Sequence, residues 1–152
     1  MSIQDKLNEL GIDLPKPNPP VANYVAFVQT GNLISISGQV SMGADVAYTG
    51  KVGQDVTVEE GAKAARLCAI NIISQINAAL DGDLERVKRV VRLGGFVNCV
   101  DGFGNQPEVI NGASDLMVEV FGDKGRHSRA AVGVNALPRN VAVEIDALIE
   151  VE

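Results

Sequence analysis

Val141-Ala142-Val143-Glu144-Ile145-Asp146-Ala147-Leu148-Ile149-Glu150-Val151 is the stretch whose reading decides the fold. Val141, Val143, Ile145, Ala147, Ile149 and Val151 alternate with Ala142, Glu144, Asp146, Leu148 and Glu150. This period of two sends successive side chains to opposite faces of a strand. One face is wholly apolar and needs a core; the other sets carboxylates beside apolar neighbours. Just upstream, Arg129 to Ala136 reads as a second strand, joined to the first by Leu137-Pro138-Arg139-Asn140. A connection that short lets the two strands pair.

Working outward, a helix is expected over roughly Pro107 to Phe121, and before it a strand from Arg89 to Val100. The Gly94-Gly95 pair within that strand points to a bulge or a close approach of another element. The spacing of a dinucleotide or phosphate loop is absent there. Thr57-Val58-Glu59-Glu60 is a capping box that starts a long helix ending near Leu80, where Asp81-Gly82 follows. Ala62, Ala65, Ala69, Ile72, Ile73 and Ile76 form its apolar face, and a short amphipathic piece, Asp83 to Val87, leads to the next strand. Tyr24 to Gln29 and Leu33 to Ser37, split by Thr30-Gly31-Asn32, read as a hairpin, and Ser41 to Gln54 as a loop. Residues 2–10 form a short amphipathic helix closed by Gly11, and Pro15 to Pro20 an extended arm. The order is β-β-α-β-α-β-β behind an N-terminal arm, an α+β class in one domain spanning residues 1–152. Two helices cover one face of a single sheet, and an oligomer interface is a natural cover for the other.

Composition narrows the partners. The 152 residues carry a net charge of −6 and no Trp, so nucleic acid is an unlikely partner unless a basic face forms locally. Lys88, Arg89 and Arg92 are the nearest approach to one, and a solvated surface explains them as simply. Cys68 and Cys99 each lie in apolar runs without metal-ligand spacing, consistent with core packing and a reduced compartment. No signal-peptide pattern and no apolar run of ~18 to 20 residues occurs, so a soluble, cytoplasmic protein without membrane partners is expected. The one histidine, His127, reads as a surface-loop residue. No metal site and no cofactor motif is present.

Arg129 and Glu144 are the candidate chemical pair. A guanidinium holds a carboxylate bidentately, and a desolvated glutamate gains a raised pKa suited to activating water. A plain cross-strand ion pair, contributing ~0–1 kcal/mol, accounts for the same spacing.

At these residues the chain resembles a known family. Ser128-Arg129-Ala130-Ala131-Val132-Gly133-Val134, Leu137-Pro138 and Val143-Glu144-Ile145-Asp146 are similar to the C-terminal signature of the YjgF/Rid family. Gly31-Asn32-Leu33-Ile34-Ser35-Ile36-Ser37-Gly38-Gln39 resembles its hairpin and Ser-Gly-Gln turn, and Asn111-Gly112-Ala113 its helical asparagine. The resemblance covers about residues 20 to 152. It implies a chorismate-mutase-like α+β fold and a homotrimer with three inter-subunit clefts. In the RidA branch such clefts hydrolyse 2-imino and 2-enamino acids, such as 2-aminoacrylate, to 2-oxo acids and ammonia without a cofactor. By position, Arg129 would bind the substrate carboxylate, and Glu144 would activate water with help from the Ala131 carbonyl. Tyr24, Ser37 and Asn111 would line the pocket, and Gly38 would let the backbone come close. The chain departs from the family in carrying Ala131 where cysteine is common, and Arg126-His127-Ser128 where Pro-Ala precedes the arginine. The N-terminal arm and the 41–54 loop are also longer, as in a side branch. Some relatives carry an endoribonuclease or translation-inhibitor label, so an RNA-acting protein is one alternative, and a non-catalytic ligand-binding trimer another.

Overall fold

The computed structural model describes residues 1–17 and 23–152. Three α-helices, α1 (Ile3–Glu9), α2 (Val58–Ala79) and α3 (Gln106–Phe121), join five strands: β1 (Phe27–Thr30), β2 (Leu33–Val40), β3 (Val87–Asn98), β4 (Ser128–Val134) and β5 (Val143–Val151). The expected β-β-α-β-α-β-β order is present, and the fold is of the expected α+β class.

The strongest sequence signal becomes the middle of the sheet. β5 alternates buried and half-buried residues along its whole length, as its period of two requires. Its apolar face packs beneath α2, with Val143, Ile145 and Ile149 fully buried, while α3 lies over β3 and β4. Each such aliphatic side chain contributes about 1.5–3 kcal/mol relative to exposure. On α2, Ile72, Ile73 and Ile76 are buried to the same degree.

The capping box forms as read. Thr57 N–H donates to Glu60 Oε1 and Glu60 N–H to Thr57 Oγ1, each at 3.1 Å. At the other end Asp81 takes a left-handed φ of 52°. Gly82 N–H then reaches the Asn77 carbonyl at 2.8 Å, the six-to-one bond of a Schellman stop.

Strand order overturns one expectation. The sheet runs β1-β2-β5-β3-β4, so β4 and β5 are not neighbours: β3 lies between them, parallel to β4 and antiparallel to β5. The connection is not a tight turn but residues 135–142, long enough to cross two inter-strand spacings of ~4.8 Å. It passes over the end of β3, where the buried Asn98 amide donates to Asn140 Oδ1 at 3.3 Å and to the Val141 carbonyl at 3.1 Å. Lys51 Nζ closes this clamp on Asn98 Oδ1 at 3.1 Å and on the Asn135 carbonyl.

Other boundaries moved too. Tyr24 precedes β1, which starts at Phe27. The Ser-Gly-Gln "turn" lies inside β2, where the register to β5 jumps from Ile36↔Ala147 to Gln39↔Ile145, so Ser37 and Gly38 form a bulge. At Gly94-Gly95 the β3–β5 register is unbroken, and close approach is the reason for both glycines. A Cβ on Gly95 would meet Ile110 Cδ1 of α3 at 2.7 Å, and one on Gly94 would overlap Asp146. The 41–54 segment is tied down rather than loose, with Ser41 and Val52 fully buried and bridges from Met42 to Ala47 and from Thr49 to Val141. Of the arm, Ile12 is buried and the Pro15 carbonyl accepts from Ser74 of α2. Pro19 and Pro20 lie outside the described residues.

Candidate functional site

Register decides how the candidate residues are grouped. Arg129 sits beside Leu93 of β3, and Glu144 beside Phe96. Leu93 and Phe96 are an odd number of residues apart, so the two side chains leave the sheet on opposite faces. Arg129 lies on the helix side, at the outer strand β4; Glu144 lies on the face without helices. One copy of the chain therefore does not bring them into one cavity, and no ion pair joins them among the described residues.

Around Glu144 the bulge does the shaping. A Cβ on Gly38 would overlap Glu144 Oε2 and sit 3.0 Å from its Cδ. The glycine is thus required by the carboxylate itself, which packs against bare backbone. Burial, and then the like charge of Asp146 on the same face, raises the Glu144 carboxyl above its ordinary pKa of 4.5. Ser37 is committed locally, its hydroxyl donating to the Val25 carbonyl at 2.8 Å. Tyr24, one residue before that carbonyl, is 55% exposed. A shallow cavity of about 380 Å³ opens alongside, lined by Ser37, Gly38, Arg92 and Asp146 among others. Arg92 and Asp146 approach to 3.9 Å across it.

The second group gathers between α3 and β4 around a cavity of about 290 Å³, lined by Asn111, Ser114, Asp115, Val118, Arg126, His127 and Arg129. Helical spacing explains the α3 members, since Asn111, Ser114, Asp115 and Val118 fall three, four and seven apart on one face. Arg129 Nη1 donates to Ser114 Oγ at 3.0 Å, and Nη2 reaches the Pro107 carbonyl at 3.4 Å. Ser114 Oγ is 2.8 Å from His127 Nε2, whose ring closes on the Gly125 carbonyl through Nδ1 at 2.6 Å. His127 lies in a loop, as expected from sequence, but is half-buried and hydrogen-bonded at both nitrogens. Ser114 was missed altogether; its place one helical turn after Asn111 was the available signal. Ala131, two residues along β4, packs partly buried against the core beside Gly95.

The cysteines behave as core residues. Both Cys68 and Cys99 are buried. Burial, with the Glu144 charge adding to it, pushes the Cys68 thiol well up, so it stays protonated and donates toward the Val143 carbonyl at 3.5 Å. Lys88, Arg89 and Arg92 are exposed, as expected of a solvated surface. Among the described residues no group of three or more His, Cys, Asp or Glu is placed to hold a metal ion, and no helix is long and apolar enough to cross a membrane.

Fold and site define an α+β protein with two separated polar clusters, one around Glu144 and one around Arg129. Residues 4–150 match the family described as "YjgF/chorismate_mutase-like, putative endoribonuclease", and the chain belongs to that family. Protein TCP17 of Trypanosoma cruzi is 52% identical over 147 residues, covering 95% of this chain and 91% of the relative. The crystal structure of Atu1372 from Agrobacterium tumefaciens is similar at a TM-score of 0.93 and 50% identity, covering 99% of this chain and 92% of that one. A 2-iminobutanoate/2-iminopropanoate deaminase of Dermatophagoides farinae is 26% identical over 143 residues, 93% of this chain and 95% of the relative.

Proposed function

We propose that the chain is an imine/enamine deaminase whose site is completed between two copies, with Arg129 from one subunit and Glu144 from its neighbour in a homotrimer. The observation that carries this reading is the placement of the two side chains on opposite faces of one sheet. Each is set in its own half-site, and neither is neutralised by the other. The deaminase named among the relatives supports the same chemistry.

In the proposed reaction Arg129 holds the carboxylate of a 2-imino acid, with Asn111 beside it. The ionised Glu144 takes a proton from water as the water oxygen bonds to the imine carbon, and passes that proton to the imine nitrogen, whose C=N π pair becomes the nitrogen lone pair. The resulting carbinolamine then collapses. Its C–N bond breaks as the hydroxyl proton passes by way of Glu144 to the leaving nitrogen, giving a 2-oxo acid and ammonia. The imine carbon is already electrophilic, so positioning and charge are what the protein must supply.

The test couples the purified protein to an amino-acid oxidase or dehydratase that generates the imine, and follows release of ammonia and 2-oxo acid. Acceleration is expected, and Arg129→Ala and Glu144→Gln should each cut it by ~10²-fold or more. Mixing those two impaired variants and letting subunits exchange should restore part of the activity, because some interfaces then pair an intact Arg129 with an intact Glu144. Mixtures no more active after exchange would refute the shared site. The family description names endoribonuclease activity as a second reading. With a net charge of −6, RNA binding whose affinity falls steeply with salt would be needed to sustain it.

A further inference from the structure

We propose that Ser114 and His127 are positioning residues for Arg129, a relay that aims its guanidinium at an incoming carboxylate; this rests on Arg129 being the carboxylate anchor. An arginine at the start of an outer strand ordinarily samples many rotamers. Here Nη1 is tied to Ser114 Oγ, which is tied to His127, which is tied to the Gly125 backbone.

The chain of bonds has one direction that satisfies every atom. A backbone carbonyl only accepts, so His127 Nδ1 carries the proton, and in the neutral ring Nε2 is then an acceptor. Ser114 donates its hydroxyl proton to Nε2, which turns the oxygen's lone pairs toward Arg129, a group that only donates. The remaining guanidinium N–H groups are left for a ligand in the cavity.

A competitor shows why aim matters. Asp115 lines the same cavity, and a free Arg129 would be drawn to its carboxylate. Among the described residues no ion pair between them forms. The relay therefore keeps the cation open to substrate instead of closing it on its own helix. None of the three residues is predicted to move a proton to or from substrate.

The experiment needs no turnover. Arginine side-chain 15N–1H resonances of the full chain report whether the Arg129 guanidinium is ordered, and titration with pyruvate reports carboxylate affinity. Ser114→Ala and His127→Ala are each expected to mobilise the guanidinium and to weaken pyruvate binding roughly tenfold. Ser114→Thr, which keeps the hydroxyl, should stay within about twofold of the wild type, and Asp115→Asn should recover part of the loss in Ser114→Ala. In the deaminase assay the same losses should fall on KM, with kcat changed by less than about twofold. Thermal melts of each variant separate a loss of aim from a loss of fold.

Ordered Arg129 resonances and unchanged pyruvate affinity in both alanine variants would overturn the relay, as would a wild type showing no pyruvate binding. If pyruvate binds through Arg129 and the relay variants weaken it, but no imine is hydrolysed, the deaminase reading fails and the relay stands. If turnover proceeds while Ser114→Ala and His127→Ala match the wild type in binding and KM, the relay fails and the deaminase reading stands.

Discussion

Glu144 owes its raised pKa to its place on the helix-free face, where neighbouring side chains strip water from it and Asp146 adds a like charge. For the proposed reaction this sets a pH profile. The acid limb of kcat/KM should lie above the ordinary glutamate value of 4.5 and disappear in Glu144→Gln, with a rate loss of ~10²–10⁴. Stability follows the same sign. The native state holds this proton more tightly than the unfolded chain, so stability falls as pH rises from 4.5 through the raised value. Urea midpoints at pH ~4 and ~7 should show that fall in the wild type and a smaller one in Glu144→Gln. Gly38 is the companion case. Gly38→Ala should push the Glu144 carboxylate off its seat, costing about 10²-fold in kcat while the melting temperature changes little. Of these features, Glu144 was nameable as a candidate from its place in the strand and from the family resemblance. The reason for Gly38 was not, because it is another residue's side chain and not a turn.

Helix ends follow local rules, which is why they were readable. Thr57 and Glu60 satisfy each other's backbone donors within four residues, and nothing distant is needed. Thr57→Ala should destabilise the protein by about 1 kcal/mol, read as a lower urea midpoint with an unchanged slope. The pKa of Glu60 is lowered by its bonds to the Thr57 backbone and side chain. Its share of the cap is therefore present above the ordinary 4.5 and lost as pH falls through the lowered value. Strand neighbours obey no such local rule. Pro138 and two residues at positive φ, Arg139 and Asn140, look like the makings of a hairpin. The Asn98 clamp instead carries the chain across β3 to the far side.

At the scale of the molecule, the sheet face without helices is the surface that the proposed trimer would cover. Val28 and Val132 stand 53% and 45% exposed there, and Val132 shares a row with Phe96 and Glu144. Water gains nothing from apolar side chains next to a half-buried carboxylate, and a second copy covering them removes that surface. Val132→Asp should therefore shift the protein toward monomers in sedimentation velocity, keep the far-UV circular dichroism of the wild type and lose imine hydrolysis. A Val132→Asp protein that stays oligomeric and active would place the interface elsewhere.

Arg129 and Glu144 were nameable from the order of residues alone, as were the β-β-α-β-α-β-β succession, the capping box and the buried cysteines. Those depend on periodicity, capping chemistry and motif islands, all written within a few residues of one another. Only the tertiary structure decided that β3 separates the strands of the pair, that the two side chains leave opposite faces, and that Ser114 and His127 stand behind the guanidinium. Those facts depend on which strands lie side by side and in what register. Nonlocal packing sets both, through contacts such as Gly95 against Ile110 and Asn98 against residues 140 and 141.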